Sequence, residues 1–462
     1  MKEILILKIR ICLNIRSMKK TTPLKLQIIN LFLLTFVLLF SASCRKRISE
    51  RLSDTEILHQ NMDQLTRVII YDVFTPPVAS RLYVYAALSS YEAIRFSKDE
   101  SKSIAEKLNG FGQMPVPEKN LDYNFTLAAT KAFFKVVRNV KVFSVDSLNR
   151  YEESLYKSFR DVLDDSVFSR SVDFGNKVAE VILTRAKNDG YFVSRGKQKY
   201  LGGSAPGQWR PTPPDYLDGV EWCWNTMMPM VMDSASQYKP GRPPQFSTDT
   251  GSYYYKSLRE VYTINLNLTD EQMEIARFWD DNPFVIEHSG HMMFGNKKIT
   301  PGGHWMGITA IASKQSGADA VTTAKAYALT SIALYDAFIS CWDEKYRSGY
   351  IRPVTAINET FDNTWMPYLQ TPPFPEYTSG HSTITASAST VLTAVFGENF
   401  AFQDTSDLRY IGMQRHFNSF NEAAAEASVS RLYGGIHYRF SIDTGAEQGK
   451  KLGQLINTRL SD

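Results

Sequence analysis

Cysteine is scarce, with four residues in a chain of 462. Two of them, Cys12 and Cys44, fall in an N-terminal leader, so only Cys223 and Cys341 remain in the body of the protein. That excludes a disulfide scaffold. The core must be built by burial, with both thiols expected free. Charge of one sign is also lacking: 52 Lys and Arg against 48 Asp and Glu leave +4, which makes no case for a nucleic acid partner. After Cys44 there is no apolar run of the ~20 residues that a membrane helix needs. Alternating strand-like runs bounded by turn residues are scarce as well. What remains is an ordinary globular composition, 43% hydrophobic and 22% charged, long enough for more than one domain.

The leader reads as an export signal. Met18, the better start of the two N-terminal methionines, opens Met18-Lys19-Lys20. An apolar run at 28–40 and then Ser41-Ala42-Ser43-Cys44 follow. That is a basic segment, a short hydrophobic core and small residues before a cleavage point. The last four residues resemble a bacterial lipoprotein lipobox, with Ser41 where Leu is usual. The resemblance implies lipidation of Cys44 and an exported lipoprotein facing the periplasm or cell exterior. The anchor would be its only membrane contact. Arg45-Lys46-Arg47 would suit anionic headgroups.

Beyond the leader, apolar residues recur at three- and four-residue spacing. The pattern predicts helices at 82–96, 125–137, 172–187, 270–279, 323–338, 382–396 and 422–432, hence an all-α fold of two helical bundles. Residues 81–94 align with 325–338, placing Tyr83 on Tyr327 and Tyr91-Glu92-Ala93 on Tyr335-Asp336-Ala337. Residues 175–182 likewise echo 449–456. The expected organisation is a leader (1–44), an N-terminal bundle (45–195), a connection rich in Gly, Pro and aromatics (196–265), and a catalytic bundle (266–462). The connection carries Trp209, Tyr216, Trp222 and Trp224, more apolar surface than a floppy linker holds, so it is a candidate lid.

Three segments carry chemistry. In Lys345-Tyr-Arg-Ser-Gly-Tyr-Ile-Arg352-Pro353 there are two cations, with a proline suited to the first position of a helix. Tyr377-Thr378-Ser379-Gly380-His381 would place a hydroxyl, an unhindered N–H and an imidazole at a helix N-terminus, a natural anion site. Ser430-Arg431-Leu-Tyr-Gly-Gly-Ile-His437 adds a guanidinium fork. Its Gly434-Gly435 pair would end a helix and turn the chain toward a second imidazole.

In this order and spacing the segments match the K-x6-R-P, S-G-H and S-R-x5-H motifs, and the chain resembles the superfamily of vanadium-dependent haloperoxidases and type 2 phosphatidic acid phosphatases. The resemblance implies vanadate as cofactor, with hydrogen peroxide and halide as substrates. Lys345, Arg352, Arg431, Ser379 and Gly380 would hold the oxyanion. His437 would bond vanadium, His381 would be the general acid–base, and Trp342 and Phe374 would line a halide pocket.

The same resemblance carries an alternative, a phosphomonoesterase with His437 as nucleophile and His381 as acid, acting on a phosphate ester. Against it stands the residue four after His437, where such phosphatases carry an orienting Asp; here it is Ser441. A third reading is a zinc-binding surface lipoprotein using Glu287, His288, His291 and His304, with i,i+3 histidines sharing a helix face.

Overall fold

The computed structural model describes residues 52–98, 101–283 and 297–460, together with the backbone of Ile286–Ser289 and Met292–Gly295. The leader and Cys44 lie outside the described residues. Residues 53–462 make one compact unit. Its helices are α1 (Asp54–Tyr71), α2 (Pro76–Ile94), α3 (Phe125–Asn139), α4 (Val145–Arg160), α5 (Asp165–Lys187), α6 (Tyr191–Arg195), α7 (Tyr253–Leu266) and α8 (Asp270–Phe278). There follow α9 (Pro301–Gln315), α10 (Ala320–Ser348), α11 (Pro353–Thr360), α12 (Gly380–Phe396), α13 (Leu408–Ile411), α14 (Phe420–Tyr433) and α15 (Arg439–Leu460). Among the described residues, strands are confined to two short antiparallel pairs, β1 (Ile286–Ser289) with β2 (Met292–Gly295) and β3 (Phe402–Asp404) with β4 (Arg415–Phe417). The all-α expectation holds, and each of the seven predicted helices is present.

The helices start where small polar residues stand. Ser53, Thr75, Asn124, Ser252, Thr300, Asp319, Ser379 and Ser419 each accept the backbone N–H three residues on, which satisfies a donor that the helix leaves open. Thr269 and Gln272 close a reciprocal capping box. Helix α4 lies outside the seven predicted segments, although its pattern is strongly amphipathic. Only Leu148, Glu152, Leu155 and Phe159 are buried, one narrow stripe at helical spacing.

Two helices form the centre. Every side chain of α2 is buried, as is most of α10, and the two pack on each other. These are the segments whose sequences echo. The main apolar core runs from Ile57 to Leu460 and takes in helices of both halves, with two smaller clusters beside it. The second echo also has a packing meaning. A Cβ on Gly175 in α5 would sit 2.3 Å from the Ala128 carbonyl in α3, and one on Gly449 in α15 would sit 2.0 Å from the Thr383 carbonyl in α12. Both glycines let two helix backbones approach closely.

The stretch between α6 and α7 has no regular structure beyond one helical turn, yet it is pinned. Trp209 and Trp224 are buried. The Trp209 N–H donates to the Gly349 carbonyl at 2.7 Å, and the Val220 carbonyl accepts from Trp342 Nε1 (3.1 Å) and Tyr346 Oη (2.6 Å). It thus clamps the C-terminal end of α10. Among the described residues no helix is long and apolar enough to cross a membrane. Cys223 and Cys341 are buried and unpaired, as expected.

Candidate active site

Four helix ends converge on one pocket. Lys345 stands in the last turn of α10, which Gly349 ends in the left-handed conformation (φ 55). Arg352 caps α11, with Pro353 at its first position. Ser379 caps α12, so Gly380 and His381 occupy its first turn, at the positive end of the helix dipole. Arg431 is in the last turn of α14, and Gly434 and Gly435 (φ +74) carry the chain on to His437, just before α15. The motif glycines and proline do the local work expected of them.

The pocket is lined by Gly380, His381, Arg431 and His437, with Trp342 and Phe374 on the apolar side. The Trp342 and Phe374 rings lie 4.9 Å apart. Lys345 and Arg352 stand directly behind this lining. A Cβ on Gly380 would come 3.8 Å from Lys345 Cε, and Arg352 Nη1 is 3.2 Å from His437 Nε2. All the residues predicted for the site are therefore brought together.

Its cations are deeply buried, with Asp280, Asp281 and Glu376 the acidic groups around them. Lys345, Arg352 and Arg431 are at most 1% exposed, and among the described residues none has a carboxylate at ion-pair distance. Backbone oxygens do the solvating. Lys345 Nζ donates to the carbonyls of Pro375 (3.0 Å) and Glu376 (2.9 Å), Arg352 Nε to that of Phe374 (2.9 Å), and Arg431 Nη2 to that of Trp279 (2.6 Å). Arg352 Nη2 is buried with no partner. Burial pushes Lys345 down to about 7 and Arg352 down to about 10. Glu376 lies near Lys345 and Arg352, and Asp280 and Asp281 near Arg431, but three buried cations with no direct ion pair are costly unless an anion joins them.

The two histidines are held differently. His437 Nδ1 is 2.7 Å from Glu376 Oε1, which also accepts the Tyr438 N–H at 3.1 Å. Burial, with Arg352 and Lys345 adding to it, keeps the His437 imidazole far below its usual range and so neutral. Nδ1–H then donates to Glu376, and the lone pair stays on Nε2. Glu376 was not foreseen. The family pattern places an orienting carboxylate at position 441, downstream of the histidine, where this chain has Ser441. It comes instead from the loop before α12, so its absence at 441 does not count against a phosphatase. His381 Nε2 makes no hydrogen bond. The nearest anion is Asp281 Oδ2, 3.7 Å away, an ion-pair distance. Burial and the Arg431 charge push His381 down to about 4, against the pull of Asp281.

The zinc reading loses its helix face, although His304 with Asp281 and Asp407 brings three potential ligand atoms within 4.8 Å of one another. Glu287 and His288 lie on strand β1 rather than on a helix, so the shared helix face does not exist. Their side chains and His291 are outside the described residues. His304, on α9, has both ring nitrogens against carboxylates.

A family model described as the second helical-bundle domain of VCPO matches residues 325–462. Among solved structures the chain is similar to a bacterial vanadium-dependent iodoperoxidase at 44% identity and TM-score 0.81, covering 87% of this chain and 96% of that one. The fold is also that of a bacterial vanadium-dependent chloroperoxidase, solved in holo and apo forms. These two show TM-scores of 0.64, identities of 18% and 17%, and cover 84% and 83% of this chain and 93% of theirs. No curated protein sequence matches.

Proposed function

This chain belongs to the family of vanadium-dependent haloperoxidases, and from that premise we propose that it binds vanadate between α10, α12 and α14 and oxidises halide with hydrogen peroxide. The observation that carries the reading is the trio of buried cations, none in a direct ion pair, around a neutral, carboxylate-anchored histidine. The donor set suits a tetrahedral oxyanion: three cations, the first-turn N–H groups of α12 and the spare Arg352 Nη2. Overall, halide loses two electrons to become hypohalous acid, while peroxide is reduced to water and one proton is consumed. Bound vanadate supplies the Lewis-acid centre that activates peroxide.

The protein's own residues do the rest. Lys345, Arg352 and Arg431 neutralise the oxyanion and cost no reorganisation during turnover. Ser379 Oγ already accepts from the Ser382 hydroxyl (2.9 Å), which leaves its own hydrogen to donate. Glu376 fixes the tautomer and ring plane of His437, the vanadium ligand. His381 holds or releases the proton beside the reacting oxygens. Trp342 and Phe374 give the halide a dry wall. The relative at 44% identity is an iodoperoxidase, so iodide, the most easily oxidised halide, is the first substrate to test. A Glu376–His437 dyad would equally orient a phosphoryl-accepting histidine, so phosphate ester hydrolysis is the necessary control.

We further propose that the chain is exported and held by lipid at Cys44. The support is the leader's charge and hydrophobicity pattern. Metabolic labelling with a fatty acid, expected for the full chain and lost in Cys44→Ser, tests this.

Reconstituting the purified protein with orthovanadate, then adding peroxide and each halide, tests the function. Activity is expected to saturate at one vanadate per chain. Arg431→Ala is expected to weaken vanadate binding by about 100-fold or more, through the lost charge and donor. It should also abolish the rise in melting temperature that vanadate gives the native chain. Glu376→Gln should lower vanadate affinity about 10- to 100-fold, the usual effect of removing a carboxylate behind a ligating histidine. An unchanged dissociation constant by titration calorimetry would show that Glu376 plays no orienting part.

A further inference from the structure

His304 is a histidine that the mechanism above leaves unused. It lies on the first turn of α9, fully buried. Nδ1 is 3.1 Å and 3.3 Å from the two oxygens of Asp281, and Nε2 is 3.0 Å from Asp404 Oδ2. A third carboxylate, Asp407, reaches within 3.6 Å of Nδ1. A neutral imidazole carries a single N–H. Two ring nitrogens, each within hydrogen-bond distance of an ionised carboxylate, are both satisfied as donors only in the imidazolium. The ring face is suited to that charge, since it stacks on the Trp279 indole with centroids 4.5 Å apart and 20° between planes. Other charged groups nearby are Asp280, ion-paired with Lys298, Arg431, bonded to the Trp279 carbonyl, and His381 beyond Asp281.

We propose that His304 is a standing imidazolium that keeps Asp281 ionised and aimed at His381, so that Asp404, His304 and Asp281 form an ion chain behind the proton-carrying histidine. Asp281 alone would be a buried carboxylate facing one weak partner, and burial would drive it to take up a proton. With His304 beside it, Asp281 sits below the usual carboxylate range despite its burial. Burial opposes the charge on His304 too, but Asp281 and Asp404 outweigh it and hold the ring well above its ordinary value. Asp281 can then draw a proton onto His381, against burial and Arg431. His304 is a positioning residue, and its role rests on the reading of His381 as proton carrier.

The test uses the vanadate-free full chain labelled with 15N-histidine, whose seven histidines give a tractable spectrum. One ring is expected to stay doubly protonated through pH 8 and to vanish in His304→Gln. The His381 midpoint should fall in His304→Gln and in Asp281→Asn, and no further in the double variant. If His304→Gln does not fold, Asp404→Asn takes its place: the doubly protonated ring should lose its proton at lower pH than in the native chain. In the vanadate-loaded enzyme, His304→Gln should lower kcat about tenfold and leave vanadate affinity within about threefold, the scale of a lost supporting contact. A single-protonated His304 at pH 7, an unmoved His381 midpoint, or displacement of the His304 protons by added zinc would overturn the proposal. Should the spectra come out as expected while no halide is oxidised, the functional reading fails and the ion chain stands.

Discussion

His437→Ala is expected to lose halide oxidation by more than about 1000-fold and to bind orthovanadate too weakly to measure. Losing a carboxylate behind such a ligand already costs about 10- to 100-fold, and here the ligand itself goes. The substitution also leaves Glu376 with no imidazole to receive its charge. Folding should survive, because the Tyr438 N–H still reaches Glu376 Oε1 and the surrounding helices keep their caps. Circular dichroism and melting of the vanadate-free protein check that, beside the oxidation rate. A variant that folds, binds vanadate within tenfold of native and turns over would remove His437 from the site.

His381→Ala should separate turnover from binding. Its Nε2 makes no hydrogen bond, and the ring acts on the anion-holding set through charge, at Arg431 and His437. Vanadate affinity should therefore change by less than about fivefold, while kcat falls by about 100- to 10,000-fold, the range of a lost general acid–base. The sign of its pH dependence follows from its environment. The His381 midpoint lies near 4 in the unliganded chain, and a bound anion opposes burial and Arg431. Vanadate should thus raise that midpoint, and the charged form should be lost as pH climbs through the raised value. Steady-state kinetics against peroxide, over pH and at saturating vanadate, read both effects. Equal losses in kcat and in vanadate affinity would make His381 a binding group.

Much of this was legible because the informative residues sit in ordered segments with fixed spacing. Ser379-Gly380-His381 ahead of small and β-branched residues is a helix start whatever the family, and Gly434-Gly435 is a helix end. The glycine echoes at 175 and 449 mark close helix crossings. Glu376, Asp281 and His304 were beyond such reading. Each belongs to a different segment from the histidine or carboxylate it serves, and only the packing of α8, α9, α12 and β3 brings them together. The i,i+3 spacing of His288 and His291 was no guide to a shared helix face, since His288 lies on strand β1. Helix α4 was legible too, since Leu148, Leu155 and Phe159 recur at helical spacing on an otherwise polar helix.

The central claim is that three buried cations and His437 form a vanadate site for oxidation rather than a phosphate site for hydrolysis. One paired assay on the purified protein tests it most directly. Orthovanadate, hydrogen peroxide and iodide go into one tube, and a chromogenic phosphate ester without vanadate goes into the other. Vanadate-dependent iodide oxidation with negligible ester hydrolysis is the predicted result. Ester hydrolysis that vanadate inhibits, with no iodide oxidised, would contradict the account and make His437 a nucleophile.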